Sequence, residues 1–343
     1  MLLRTIGKSI PIDRDKKILF FLYLNVLLKG INPFSNKLYF SFTKNNNRLI
    51  YSADGVINHG GIVDRMKGIL TTYYLSQKNN FAFHIYHNSP LSFSEVWHNE
   101  KVNLEKIKLN PFKFRVIFIS TLSKLEKFSN NNSLVNNKTY LIYCAENILA
   151  HQYPNGKWEA KTRHLFNELI ASGDHKIDTL LNEKYATLFY DKIDVVHYRC
   201  LNYFDDFDDS KLKPVSKDAK DKLLSSIIND AKKTYNGNSN KIFISDSRYL
   251  LKSLKENGFR VFSLESTKHM DNKGHKKEEY LNAYLENHLI TKAKNVTSYI
   301  LFHKEKPFNS HFAYYPSIIG ASKFYKLGIN VNDFSICNLE ITK

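Results

Sequence analysis

Short apolar runs of strand length take turns with longer stretches whose apolar residues recur at helical spacing. In the first half, "NKLYFSF", "NRLIYSA", "FAFHIYH", "RVIFIS" and "TYLIYCAE" read as strands, while "GIVDRMKGILTTYYLSQ" places Ile62, Met66, Ile69, Leu70 and Tyr73 on one helix face. The polar, asparagine-rich "KFSNNNSLVNNK" between two of those strands reads as a loop, and "KTRHLFNELIASG" as an amphipathic helix closed by Gly173. A second series follows "NEKYATLFYDK". Its strands are "IDVVHYR", "NKIFISD", "FRVFSLE" and "NVTSYILF"; its helices are "DAKDKLLSSIINDAKKTY", "RYLLKSLKENG", "KKEEYLNAYLENHLITKA" and "PSIIGASKFYKLG".

Strand and helix alternating at this pitch predict an α/β protein of two Rossmann-like, doubly wound parallel units. With 343 residues the chain is long enough for two such cores. The break falls near residues 183–192, giving an N-terminal domain of 1–187 and a C-terminal domain of 188–343, whose last segment is free to pack back on the first. No repeat of fixed period is visible. The N-terminal apolar run from Ile18 to Leu28, interrupted by Asn25, is too short to cross a bilayer core of ~30 Å. It predicts a core helix, with a basic-flanked helix lying on an anionic bilayer as the alternative.

Charge changes the picture in one way. A formal net charge of +17 calls for an anionic partner or for heavily solvated lysine faces. Basic residues are spread along the chain rather than interleaved with aromatics, so nucleic acid is not expected as a partner. The three cysteines are far apart, without a CxxC pair, which indicates a reducing compartment.

Ligands of parallel sheets bind beyond the carboxyl ends of the strands, and four segments fall there. In "HGGIVDR", Gly60 and Gly61 allow close backbone approach, and Asp64 with Arg65 sits in the first helical turn; taken alone, this reads first as a tight turn with an Asp–Arg surface pair. In "VVHYR", His197 and Arg199 share one side of a strand, and an arginine at a strand tip can hold a phosphate through two parallel hydrogen bonds. A lone His197 would also serve as a core residue. In "IFISDSRYLL", one of Asp246 and Ser247 caps the following helix, and an exposed acid there could accept from ribose or base donors. In "KPFNSHFAYYP", Ser310 and Phe312 link a strand to a helix, with Asn309 beside them.

Taken in order, these segments resemble the fucosyltransferase-like glycosyltransferases of GT-B architecture, including the bacterial nodulation-factor and polysaccharide-assembly branches. The matching elements are the glycine-rich loop with Gly60, Gly61, Asp64 and Arg65, the H-x-R strand of His197 and Arg199, the D-S strand end of Asp246 and Ser247, and the S-x-F element of Ser310 and Phe312. The match spans roughly residues 48–325. The resemblance implies two such domains facing a central cleft, and a donor sugar linked to GDP, bound mainly by the C-terminal half. Arg199 would meet the diphosphate with Ser310 nearby; no metal or other cofactor is implied. The acceptor would be a glycan or lipid-linked glycan, held on the N-terminal side in the cytoplasm, peripheral to an anionic membrane surface. Two departures stand out. Many relatives continue H-x-R with L-G-D, whereas this chain has Cys200, Leu201 and Asn202. The glycine-rich loop also lacks a glutamate, leaving Asp64, before His59, as the nearest base. The D-x-D spelling at Asp206–Asp208 reads as a solvated loop. A non-catalytic nucleotide- or glycan-binding relic of the same fold, or a basic nucleic-acid-binding protein, are the competing readings.

Overall fold

The central strands pair in parallel as their apolar runs require, and "RLIYSA", "TYLIYC" and "KIFIS" are buried on both faces. In the computed structural model, residues 14–31, 38–40, 47–97, 99, 101–104, 106–130, 134–153, 156–171, 176–185, 193–201, 203–204, 215–235, 240–263, 270–271, 276–303, 306–307 and 310–339 are described. The chain divides into two compact units, 1–174 and 175–343.

The first unit holds a four-stranded parallel sheet in the order β3-β2-β6-β5: β2 (Arg48–Ala53), β3 (Ala82–His87), β5 (Phe114–Ile119) and β6 (Thr139–Cys144). One face carries α2 (Ile62–Asn79). The other meets α1 (Arg14–Ile31) and the short parallel pair β1 (Leu38–Phe40) with β4 (Ile107–Leu109). Leu22 and Val26 of α1 are fully buried there with Ile50, Val116 and Leu141, so the N-terminal apolar run forms a core helix. No helix of the described residues is long and apolar enough to cross a membrane. Helix α3 (Leu122–Asn130) runs into the stretch expected as an asparagine-rich loop, because Leu125 supplies a fully buried anchor. The short α4 (Ile148–Gln152) and α5 (Lys157–Ala171) complete the unit; Gly173 lies outside the described residues.

The second unit begins with α6 (Lys176–Tyr185), whose Asp178 pairs with His288 at 2.8 Å and Lys292 at 3.0 Å of α9 (Lys277–Lys292). Its sheet runs β12-β11-β9-β7-β8, from β12 (Ile336–Asn338) and β11 (Lys323–Asn330) through β9 (Asn295–His303) and β7 (Asp194–Arg199) to β8 (Lys241–Ser245), with β10 (Lys306–Pro307) hooked antiparallel onto β9. Neighbours from β11 to β8 are parallel, and β12 is antiparallel. From β7 the chain proceeds through α7 (Lys217–Tyr235), β8 and α8 (Arg248–Glu256) toward one sheet edge. It then returns through α9 to β9 and through α10 (Tyr314–Gly320) to β11 on the opposite side. Strand order therefore reverses between β7 and β9, which makes their carboxyl ends the switch point where ligands of such sheets bind.

Two expectations give way here. "PSIIGASKFYKLG" is not one helix: α10 ends at Gly320, Ala321 turns left-handed with φ 60°, and the alternating "KFYKLGIN" forms β11 beside β9. β-Branched and aromatic content outweighs the helical spacing once a buried neighbour strand is present. In "FRVFSLE", only Val261 bridges, in parallel, to Phe243; residues 264–269 lie outside the described ones.

Gly68 of α2 passes the Cys144 carbonyl so closely that an added methyl group would collide with that oxygen and with the Tyr51 ring. Gly68→Ala should therefore lower unfolding stability by about 1–3 kcal/mol despite alanine's better helix propensity. Urea unfolding checks this, and an unchanged or higher midpoint would show that α2 does not pack this tightly on β6.

Candidate functional site

At the carboxyl ends of β7 and β8, Arg199 and Asp246 form an ion pair at 2.8 Å, with side chains 13% and 3% exposed. The carboxylate also accepts the backbone N–H groups of Cys200 at 2.7 Å and Leu201 at 2.8 Å. Asp246 is thus not an exposed acid: its two oxygens bind the turn that follows β7. That turn needs holding, since Leu201 has φ 52°, a left-handed conformation in which a Cβ is unfavourable. Asp246 therefore stabilises a backbone conformation that glycine would adopt freely. Ser247 takes the capping role, its hydroxyl accepting from Leu250 N–H at 3.1 Å at the start of α8.

His197, two residues before Arg199 on the same side of β7, is 2% exposed. Its Nδ1 lies 2.9 Å from Ser298 Oγ of β9, and its ring stacks on Phe312 with centroids 5.4 Å apart. Burial, with the Arg199 charge behind it, lowers the His197 pKa to about 3, so the ring is neutral. Ser310 Oγ accepts from Phe312 N–H at 3.4 Å. The structure therefore gathers His197, Arg199, Asp246, Ser247, Ser310 and Phe312 around one sheet end. Phe312 on His197 is what brings Ser310 there. Ser298 went unnoticed in the sequence, where a serine inside an apolar strand carries no signal of its own. Asn309 and Asp206–Asp208 lie outside the described residues.

The first unit has its own site. A cavity of about 450 Å³ opens at the carboxyl ends of β5 and β6, beside the loop after β2. Gly60, with φ 81°, packs directly on Asp64, so the loop can turn only because no Cβ is present. Asp64 and Lys67, one helical turn apart, both line the cavity and pair at 3.1 Å. Arg65 departs from its neighbour: it is 3% exposed, and its Nη1 donates to Ser89 O at 2.8 Å and lies 3.5 Å from His87 Nε2, anchoring the loop after β3. Gly61 begins α2 without a side-chain cap. Glu146, just beyond β6, also lines the cavity, and sequence reading missed it because nothing local distinguishes it from a surface acid.

No protein-family model matches the chain, and no curated protein matches it. Solved structures do show likeness. The Bradyrhizobium NodZ alpha-1,6-fucosyltransferase co-crystallized with GDP is 12% identical over 88% of this chain and 100% of its own, with TM-score 0.47. A variant of Arabidopsis thaliana FUT1 in complex with GDP is 9% identical over 90% of this chain and 73% of its own, TM-score 0.49. POFUT1 in complex with GDP is 8% identical over 82% and 99%, TM-score 0.38.

The neutral His197 makes a pH prediction. Unfolded, its ring takes up a proton near pH 6.5; folded, only near pH 3. Its stabilising contacts are intact above the unfolded value, and acid then favours the unfolded chain by about 1.4 kcal/mol per pH unit until the folded value is reached. His197→Gln should be less stable than the parent at about pH 7.5, with the gap narrowing as pH falls to about 4.5. Urea unfolding across that range checks it; parallel stability curves for the two proteins would contradict a buried neutral imidazole.

Proposed function

We propose that this chain is a glycosyltransferase that takes a sugar from a nucleotide-diphosphate donor, GDP-linked and fucose-like, and passes it to a glycan acceptor. The observation that supports this most is Arg199, a guanidinium fixed by Asp246 at the switch point of the second unit. A cation oriented in advance at that position suits a diphosphate, because its geometry need not be reorganised as charge develops on the leaving group. Neutral His197, stacked on Phe312, keeps the Ser310 loop beside the strand tip without adding a charge that would vary with pH. Departure of the diphosphate is then assisted by fixed positive charge and hydroxyl donors, and the reaction as proposed requires no metal.

The first unit takes the acceptor. Its cavity lies at a strand end, as donor sites do, but presents Asp64 and Lys67 rather than an arginine. The acceptor fits surface polysaccharide or glycoconjugate assembly at the cytoplasmic side of a membrane. The net charge of +17, and Phe20, Leu27 and Leu28 exposed on α1, support peripheral contact with an anionic surface.

A thermal-shift panel of GDP, UDP, CMP and their sugars tests the reading. GDP should raise the melting temperature most, since a ligand at 100 times its Kd stabilises by about 2.7 kcal/mol. Arg199→Lys keeps the charge and the Asp246 partner but not the planar fork, and should weaken GDP roughly 10-fold or more. A GDP response equal to that of the parent in this variant, or no response to any nucleotide in the parent, would overturn the assignment.

A further inference from the structure

We infer that Glu146 is the proton-accepting residue of a cavity in the first unit built for a neutral saccharide hydroxyl. The inference rests on the transferase reading above but replaces Asp64, the base that the sequence favours. Asp64 is poorly suited: it is tied to Lys67 at 3.1 Å, packs on Gly60, and keeps 41% of its side chain in solvent. Glu146 differs on each count. Among the described residues its carboxylate has no hydrogen-bond or ion-pair partner, and the residue is half-buried in the cavity wall.

Its backbone, by contrast, is held firmly. Thr71 of α2, fully buried, donates its hydroxyl to the Glu146 carbonyl at 2.7 Å and accepts the Ile148 N–H at 3.1 Å. Glu146 N–H also points at Cys144 Sγ, 3.4 Å away. A rigid backbone carrying an unpartnered carboxylate into a cavity is the arrangement expected of a positioned base. Burial pushes the Glu146 pKa up, with Asp64 adding to the rise and Lys67 opposing it. A carboxylate of raised basicity accepts a hydroxyl proton more readily.

The lining also selects the ligand. The titratable groups that face Glu146 are Asp64 and Lys67 on α2, His59 on the preceding loop, and Tyr143 and Cys144 on β6. Burial holds His59 neutral with a pKa near 3, keeps the Tyr143 phenol protonated, and raises the Cys144 thiol to about 12. Two carboxylates then face one ammonium, a net negative lining that repels phosphates and sugar acids. A neutral polyol can donate to both acids, accept from Lys67 and lie against Tyr143. In the transfer step, the bound hydroxyl oxygen forms its bond to the donor's anomeric carbon and its proton passes to Glu146. The bond from that carbon to the diphosphate breaks, and its electron pair leaves on the nucleotide.

The experiment uses the full chain with five neutral probes: glucose, galactose, N-acetylglucosamine, lactose and chitobiose. Saturation-transfer NMR reads binding, GDP titration is run on the same samples, and GDP release from GDP-fucose is followed with the best-bound probe as acceptor. Expected are binding of at least one probe, no competition by glucose 6-phosphate, and a loss of about 100-fold or more in kcat for Glu146→Gln with KM changed only a few-fold. The acid limb of the parent's pH profile should vanish in that variant but persist in Asp64→Asn, whatever the latter's KM. Melting temperatures of both variants establish that they fold, and Glu146→Asp, which withdraws the carboxylate by one methylene, should retain a measurable fraction of the rate. If no probe binds while GDP does, or if Glu146→Gln turns over like the parent, the inference is wrong although the transferase reading stands. If GDP itself fails to bind, the reading beneath it fails first.

Discussion

The Asp246 carboxylate holds together the part of this protein that carries its proposed chemistry. It pairs with Arg199 and accepts two consecutive backbone N–H groups from the turn after β7. That turn carries Leu201 in a left-handed conformation that costs a non-glycine residue on the order of 1–2 kcal/mol. A buried ion pair is weak evidence of stability, because desolvation offsets much of the attraction. Orientation is what this one supplies. Asp246 holds the guanidinium and the turn together at the point where strand order reverses.

Around that pair the second unit is arranged to keep charge constant. His197 is buried between Ser298 and Phe312 and remains neutral. Beneath it lies an apolar core threaded by a phenol chain, Tyr235 to Tyr299 at 2.8 Å and Tyr299 to Asp230 at 2.9 Å. Tyr299 donates to the part-buried Asp230 carboxylate and receives from Tyr235, so the chain brings directional polar contacts into the core. The first unit solves a different problem at its own sheet end. There the close passage of Gly68 and the hydroxyl of Thr71 fix a strand terminus whose lining is net negative. One sheet end thus carries a buried arginine–aspartate pair, and the other a lining with two acids to one lysine.

Much of this was readable from the chain. Parallel strands followed from short apolar runs, and the tip position of Arg199 followed from "VVHYR" before a polar break. Period-two spacing placed His197 and Arg199 on one side. What failed did so for identifiable reasons. "SKFYKLG" carries a helical spacing that a neighbouring strand overrides, so β11 was read as helix. Asp64 and Arg65 are adjacent in sequence, but a helix turns adjacent residues about 100° apart, and only Asp64 reaches the cavity. Asp246 looked like an exposed acceptor because its partners, the Cys200 and Leu201 amides, are backbone groups brought there by strand pairing. Glu146 and Ser298 had no signal, because their significance comes from what surrounds them in space.

The most direct test of the central claim is a double-mutant cycle on GDP affinity, by calorimetry, with Arg199→Lys and Asp246→Asn. If the carboxylate acts by orienting the guanidinium, each single change weakens GDP, and the double variant is weaker by less than the sum, with a coupling of about 1 kcal/mol or more. If Asp246→Asn binds GDP as tightly as the parent, or the two losses simply add, the pair does not position a diphosphate ligand and the account of this site is wrong.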